Sequence, residues 1–366
     1  MSENWTPATR VLRSRFPDVP LAGDVREFRT VEGYDLLTAG FPCTDLSQAG
    51  RQQGIFGPGS GLVREVFRIV EETTPEWILL ENVPNLLRLG RGAGIAYIVD
   101  RLASLGYSWA YRVLDSRFTG LPQRRRRVFI VASRSGDPAS VLLAGDTATA
   151  ETPLVGDLQP HGFYWTEGRR GAGMVANAVP TLKGGSTLGL PSAPAIWLPT
   201  ADVGSRFVLP HAAHGEVLQG FAPGWTEPAV VGGGSDHRWK LIDNAVTVDI
   251  AAWLGTRLSS HQTVGGDELA SIPLDRSRPW PDAAFSTVSG QWRSTASDHP
   301  VRARPTGLAE VLTVASTTPL SARASAGFLR RVRDSGTRID PRLLAYLHDH
   351  ERTMRQNDAV PSSAVR

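Results

Sequence analysis

"YDLLTAG", Tyr34 to Gly40, and "EWILLENV", Glu76 to Val83, are the stretches that decide the fold. The first is a short apolar run ending in glycine, which predicts a buried strand entering a loop. The second predicts another buried strand. Between them, "SGLVREVFRIVEET" (60–73) places Leu62, Val66, Ile69 and Val70 on one helical face. Parallel strands need a crossover, so a helix between two apolar runs argues for a parallel sheet covered on both faces. Working outward, "IAYIVDRLASLGY" (95–107) predicts a helix closed by Gly106, and "RRVFIVAS" (126–133) a further strand. Residues 1–134 therefore read as an α/β domain.

Beyond that point the texture changes. Residues 135–235 are rich in Gly, Pro, Ser and Thr, with scattered aromatics and little periodicity, which predicts a smaller loop-rich domain. "NAVTVDIAAWLGTRL" (244–258) predicts a helix with Val246, Ile250, Trp253 and Leu254 on a shared face, and residues 236–260 are expected to return to the first domain. Residues 261–366 read as a C-terminal extension, weakly patterned to about 318 and ending in helices over 322–334 and 340–354. The second of these has Asp340 as N-cap and Pro341 at the first helical position.

Composition narrows the function classes. The 366 residues are 41% hydrophobic and 20% charged, a globular balance. No segment is apolar for long enough to span a bilayer, and the N-terminus lacks the apolar core of a signal peptide, so a cytoplasmic location is expected. The net charge is only +3, but the cations are skewed: Lys183 and Lys240 are the only lysines. Arginine suits bidentate contact with phosphate and guanine, although a GC-rich genome also explains its abundance.

The loop after the first run, "GFPCTDLSQAG" (40–50), holds Cys43, the only cysteine. Taken alone it is a nucleophile, a metal ligand or a small apolar filler. One cysteine makes no internal disulfide and no multi-cysteine zinc site, so no metal is expected. All eight histidines lie beyond residue 134, which argues against a thiol hydrolase. In an open parallel sheet the carboxyl ends of the strands face one crevice, which puts Cys43 and Glu81 on the same cleft. In "LPQRRRRVFIVAS" (121–133) strand alternation gives Arg125 and Arg127 one face and Arg124 and Arg126 the other.

These blocks, in this order, resemble the bacterial C5-cytosine DNA methyltransferases. "GFPCTDLSQAG" is similar to that family's nucleophile loop, "ENV" (81–83) to its glutamate motif and "PQRRRRVF" (122–129) to its Gln-x-Arg-x-Arg motif. "AVPTLKGGSTLGLPSAPAIWLP" (178–199) and "LQGFAPGWT" (218–226) resemble the end of its target-recognition domain, and "RWKLIDNAVTV" (238–248) its closing cofactor motif. The resemblance implies a Rossmann-like methyltransferase sheet joined to a loop-rich target-recognition domain. It implies S-adenosyl-L-methionine as cofactor and double-stranded DNA as substrate, with a target cytosine flipped out of the stack. Cys43 would attack C6 of that cytosine, Glu81 would act at N3, and Arg127 and Arg125 would hold the base and the nucleophile loop. Glu3, Asp24, Pro42 and Asn244 would line the cofactor pocket, and Gln123, Arg169 and Arg170 would contact DNA.

Two departures from the family stand out. The family's opening strand and Phe-x-Gly-x-Gly turn precede the acid that Glu3 matches, and neither is found in these residues. The expectation is a catalytic domain lacking its first strand. That strand would come from an upstream segment or from a complementing polypeptide; failing both, the chain would be a DNA-binding relative with impaired catalysis. The second departure is Asp243, where the family usually has glycine. A cognate restriction endonuclease is a further expected partner.

Overall fold

The computed structural model describes residues 1–29, 33–41, 61–147, 159–167, 171–185, 193–230, 237–260, 272–336 and 339–359. In chain order the first elements are α1 (Thr6–Arg15), β1 (Leu36–Gly40), α2 (Leu62–Thr73), β2 (Trp77–Asn82), α3 (Ala93–Ser104), β3 (Ser108–Asp115), β4 (Gln123–Arg124), β5 (Arg126–Ser133) and α4 (Pro138–Leu142). Then come β6 (His161–Phe163), β7 (Val175–Ala176), β8 (Val179–Pro180), β9 (Ala195–Trp197), β10 (Phe207–Leu209), α5 (Ala212–Leu218), α6 (Arg238–Asn244) and α7 (Val248–Ser259). The last are β11 (Ile272–Pro273), β12 (Ala283–Thr287), β13 (Gly290–Arg293), α8 (Leu308–Val311), β14 (Thr318–Pro319), α9 (Ala322–Ser335) and α10 (Pro341–Ala359).

The chain divides into two compact units. The first comprises Met1–Thr119, Arg126–Ala150 and Asp249–Ala303; the second comprises Gly120–Arg125, Glu151–Val248 and Arg304–Arg366. The expected C-terminal extension, 261–366, is thus not one piece: its first part belongs to the α/β unit and its last part to the other.

The first unit is built on a seven-stranded sheet in the order β1-β2-β5-β3-β12-β13-β11. The all-parallel expectation is corrected, because only β1 and β2 run parallel and the remaining pairs are antiparallel. Helix α2 buries Val63, Val66, Phe67 and Val70, and it stops at Thr74, whose left-handed φ of 43° is followed by Pro75. Helix α3 closes at Gly106 (φ 80°), as its sequence implies. Helix α7 begins at Val248 and not at 244, because Asn244 ends α6 and Ala245 is extended. Strand β1 differs from its expected burial: Leu36, Thr38 and Gly40 are exposed and the other two residues half-buried. It is an edge strand, with no partner on its outer side among the described residues.

In the second unit, an antiparallel sheet runs β14-β10-β9-β6-β7. The C-terminal helices α9 and α10 supply its core, where Phe328, Leu343 and Leu347 meet Phe163, Trp197 and Phe207. The Asp340 cap forms as expected, Arg342 N–H donating to Asp340 Oδ1 at 2.8 Å. Beside this sheet, β4 and β8 form a short parallel pair.

Candidate active site

The register of the one parallel pair fixes the first cluster. Gly40 of β1 is the partner of Glu81 of β2, so the two strands end together at their carboxyl ends. Glu81 leans against Gly40; a Cβ added there would sit 3.4 Å from Glu81 Oε2. Its other oxygen, Oε1, meets Arg127 Nε at 3.0 Å. Glu81 is paired in the sheet with Phe129, so Arg127 is its diagonal neighbour on the same face of β5, within reach of two long side chains. Both are largely buried, at 18% and 13% side-chain exposure. Arg127 Nη1 also donates to Arg126 O at 2.9 Å, which limits its freedom.

Cys43 and Pro42 lie outside the described residues, as do Arg169 and Arg170. In the sequence Cys43 follows Gly40 by three residues. A residue not singled out beforehand ties the root of that segment down: buried Asn82 donates to Phe41 O at 3.3 Å and accepts from Val83 N–H at 2.8 Å. Its only sequence signal is its place in "ENV". Arg126 points away from Glu81, to Asp282 and Asp298, as strand alternation requires.

Along β1 lies a cavity of about 670 Å³, lined by Met1–Asn4, Gly23–Arg26 and Leu36–Phe41. Glu3 and Asp24 both face it. Glu3 Oε1 accepts from Trp5 N–H at 2.8 Å, at the start of α1. Asp24 accepts from the Arg26 N–H and side chain, and the backbone hydrogen bond leads in holding its carboxyl below the usual carboxylate value. A main-chain bridge joins Ser2 to Ala22 in parallel sense, a register that sets Asn4 beside Asp24, Asn4 Nδ2 donating to Asp24 Oδ2 at 3.5 Å. Helix α2 adds Leu62, Val66, Ile69 and Thr73, an i, i+4, i+7, i+11 stripe, to the same cavity.

In the second unit the arginine motif behaves otherwise than expected. Strand β5 begins at Arg126, so alternation does not extend to Arg125, and no shared face with Arg127 follows. Arg125 is buried and holds the end of α6: its Nη2 donates to Asp243 O (2.6 Å) and Ala245 O (3.0 Å). Gln123 is fully buried, its amide donating to Leu218 O and Gln219 Oε1 while its Oε1 accepts from Leu182 N–H. This side chain is enclosed by protein, with its hydrogen bonds made to protein groups. Gln219 continues the chain of bonds, donating to Ile242 O at 2.8 Å and accepting from Thr247 at 2.9 Å. Asn244 stands exposed between the two carbonyls that Arg125 holds.

The parallel pair thus ends on a glutamate–arginine couple, beside a cavity carrying two acids. Residues 1–167 match the family described as C-5 cytosine-specific DNA methylase. The chain is 39% identical over 335 residues to the Type II methyltransferase M2.BsuMI of Bacillus subtilis (strain 168), covering 88% of this chain and 84% of that protein. It is 40% identical over 133 residues to the Type II methyltransferase M.BsuFI of Bacillus subtilis, covering 36% of this chain and 32% of that one. Among solved structures it is similar to S. pombe Dnmt2 methyltransferase, at 14% identity and a TM-score of 0.48, covering 70% of this chain and 89% of that one. The chain belongs to the C-5 cytosine-specific DNA methylase family. Among the described residues no helix is long and apolar enough to cross a membrane.

Proposed function

We propose that this chain methylates C5 of a cytosine flipped out of duplex DNA, with Cys43 as nucleophile. C5 of cytosine is a weak nucleophile, so the ring must first be activated. The Cys43 thiolate adds to C6 as Glu81 donates a proton to N3, which takes up the displaced electron pair; the carboxylate left behind pairs with Arg127 and recovers the proton on elimination. Arg127 fixes Glu81 and orients the base. C5 then takes a methyl group; loss of the C5 proton and expulsion of the thiolate restore the aromatic ring. S-adenosylmethionine, when bound, supplies that methyl group. The residues present fit it: Glu3 and Asp24 line one cavity and are acceptors for ribose hydroxyls and an exocyclic amine, and Val25, Phe28 and Phe41 offer apolar surface there. Pro42 and Asn244 would complete its contacts. Arg169 and Arg170 would reach DNA from the recognition domain, and Arg125 acts by holding the Asn244 turn.

The observation that carries this reading is the Glu81–Arg127 pair at the joint end of β1 and β2, three residues before Cys43. Two assays test it. Exchange of tritium from C5 of cytosine in duplex DNA needs only addition and elimination by Cys43. Trapping on 5-fluorocytosine DNA needs methyl transfer as well, since fluorine cannot leave as the proton does. If the chain shows neither with target-rich DNA, and Cys43→Ser changes nothing, the proposal is wrong.

The cavity supports a finer reading of the partners. It runs the full length of β1, about 16 Å at 3.3 Å per residue. In the Ser2–Ala22 bridge the bonds use Met1 O and Glu3 N, so Ser2's own N–H and C=O point away from Ala22. An exposed strand edge, a second main-chain segment and an apolar helix stripe together make a berth for one more strand. We take that strand to be a complementing segment from outside residues 1–366. The outward amides of β1, those of Leu36, Thr38 and Gly40, should exchange rapidly in this chain alone and at least a hundredfold more slowly when the segment is supplied upstream or by co-expression. Equal exchange in all three preparations refutes the berth. The relatives' Type II names support pairing with a restriction endonuclease; resistance of the host genome to digestion, lost on deleting this gene, tests that pairing.

A further inference from the structure

Asp243, near the end of α6, has both carboxylate oxygens in use within the second unit. Its Oδ2 accepts from Gly184 N–H at 3.0 Å, and its Oδ1 lies 3.6 Å from Arg125 Nη1. Its own carbonyl is held by the same guanidinium at 2.6 Å. Gly184 is seated directly on α6: a Cβ added to it would fall 2.6 Å from Lys240 Cα, closer than any side chain tolerates without backbone movement. The segment that ends in Gly184 is tied at its other end to the arginine motif, Thr181 Oγ1 donating to Arg124 O and Leu182 N–H to Gln123 Oε1. One carboxylate therefore fixes both the 181–185 segment, in the stretch read as target-recognition domain, and the turn that presents Asn244.

We infer that Asp243 is a coupling residue: it links engagement of the recognition segment by DNA to the geometry of the Asn244 turn, so that DNA and cofactor bind with positive cooperativity. A mere helix-terminal cap would need one bond to α6's own end. Here the acceptor is spent on a residue 59 positions away, and the second oxygen on the arginine that holds the carbonyls on either side of Asn244. The inference rests on the proposal that Asn244 contacts the cofactor and that the recognition stretch contacts DNA.

The test measures S-adenosylhomocysteine affinity by calorimetry, with and without a saturating pool of random-sequence duplex DNA. The ratio of the two dissociation constants is the coupling; allosteric couplings of this kind are commonly about 5- to 150-fold. Asp243→Gly removes both bonds, Asp243→Asn keeps an acceptor for Gly184 but loses the charge, and Gly184→Ala breaks the contact from the opposite side. Expected is a ratio above fivefold in the wild type, within twofold of unity in D243G and G184A, and intermediate in D243N. Loosening the Asn244 turn should lower affinity without DNA as well; the ratio is taken within each variant, so a loss common to both measurements leaves it unchanged and only lost coupling moves it. D243N, the mildest change, serves if the others fail to fold. A wild-type ratio of one, or an unchanged ratio in folded D243G or D243N, overturns the inference. Asn244→Ala separates the underlying reading: if it leaves cofactor affinity without DNA unchanged, the role of Asn244 falls, whatever the coupling does.

Discussion

On the proposed mechanism, replacing Arg127 by alanine isolates the step that activates the base. At 3.0 Å and an effective dielectric of 20, the attraction between the two charges is about 5 kcal/mol, before desolvation is set against it. Breaking a buried pair costs about 3–5 kcal/mol, and the residual exposure of both groups puts the net loss at about 2–3 kcal/mol. If that support is used in the transition state, C5 exchange at saturating DNA should slow by about 30- to 150-fold. Arg127→Lys keeps the charge but loses the planar fork, and should recover part of the rate. Arg127 is turned inward to Glu81, so it is not a phosphate contact. Removing a phosphate contact lowers the slope of log affinity against log salt by about 0.9, and the R127A slope should instead match wild type. Wild-type exchange in R127A, or a lower salt slope with a normal rate at saturation, refutes this role.

Three further outcomes follow from the second unit and are checked by unfolding experiments. Burial works to raise the Glu216 carboxyl, but hydrogen bonds from Thr226 and Arg238 leave it below the ordinary 4.5; its stabilisation is complete above pH 4.5 and is lost as pH falls through the lower folded value. Calorimetric midpoints should therefore decline in that acid window, and Glu216→Gln should flatten the decline while lowering the midpoint at pH 7, where Arg238 loses the negative charge it faces. His350 is buried with its ring nitrogens on Val203 O and Leu320 O; His350→Ala should cost about 2–5 kcal/mol in urea, since each buried group left unpaired costs about 1–3 kcal/mol. Gly162→Ala puts a Cβ 2.6 Å from Val179 Cα and should destabilise by about 1–3 kcal/mol or more through overpacking, whereas an unchanged midpoint would show that β6 and β8 can part freely.

What the sequence reveals depends on whether a residue's role is local. Strands β2 and β5 and helices α2, α3, α9 and α10 are legible because apolar spacing, a cap or a terminal glycine marks each within its own stretch. Strand β3 is not, because Arg112 interrupts its apolar run. That guanidinium is fully buried, bonded to the carbonyls of Ser297, Leu142 and Gly145, with burial pushing its pKa down to about 10. Its partners lie 30 to 185 positions away, so nothing near Arg112 announces them. Strand direction is equally hidden: apolar runs give β2 and β5 but not that they oppose. At the site, Glu81 and Arg127 are legible as chemistry-bearing types at strand ends. Gln123 reads as a surface group because an amide is polar, yet its three partners at 182, 218 and 219 remove it from solvent. Asn82 and Gln219 escape notice for the same reason.

The two halves of the proposed chemistry stand on unequal support. Glu81, Asn82 and Arg127 sit on β2 and β5, inside a sheet with partners on both sides, where local opening must break ladders on two edges. Glu3 and Asp24 are held by one isolated bridge, a helix start and a turn. Free energies of local opening follow such differences, with groups of few partners opening first. A ligand that bridges Glu3 and Asp24 therefore gains less from preorganisation than a base meeting Glu81, and must order the segment as it binds. A strand seated along β1 would reduce that cost, because it would pair Ser2 on one side and Leu36–Gly40 on the other and cover the α2 stripe. Affinity for the methyl donor should thus respond to the berth far more than does attack on the base, and the comparison of C5 exchange with 5-fluorocytosine trapping separates those two steps.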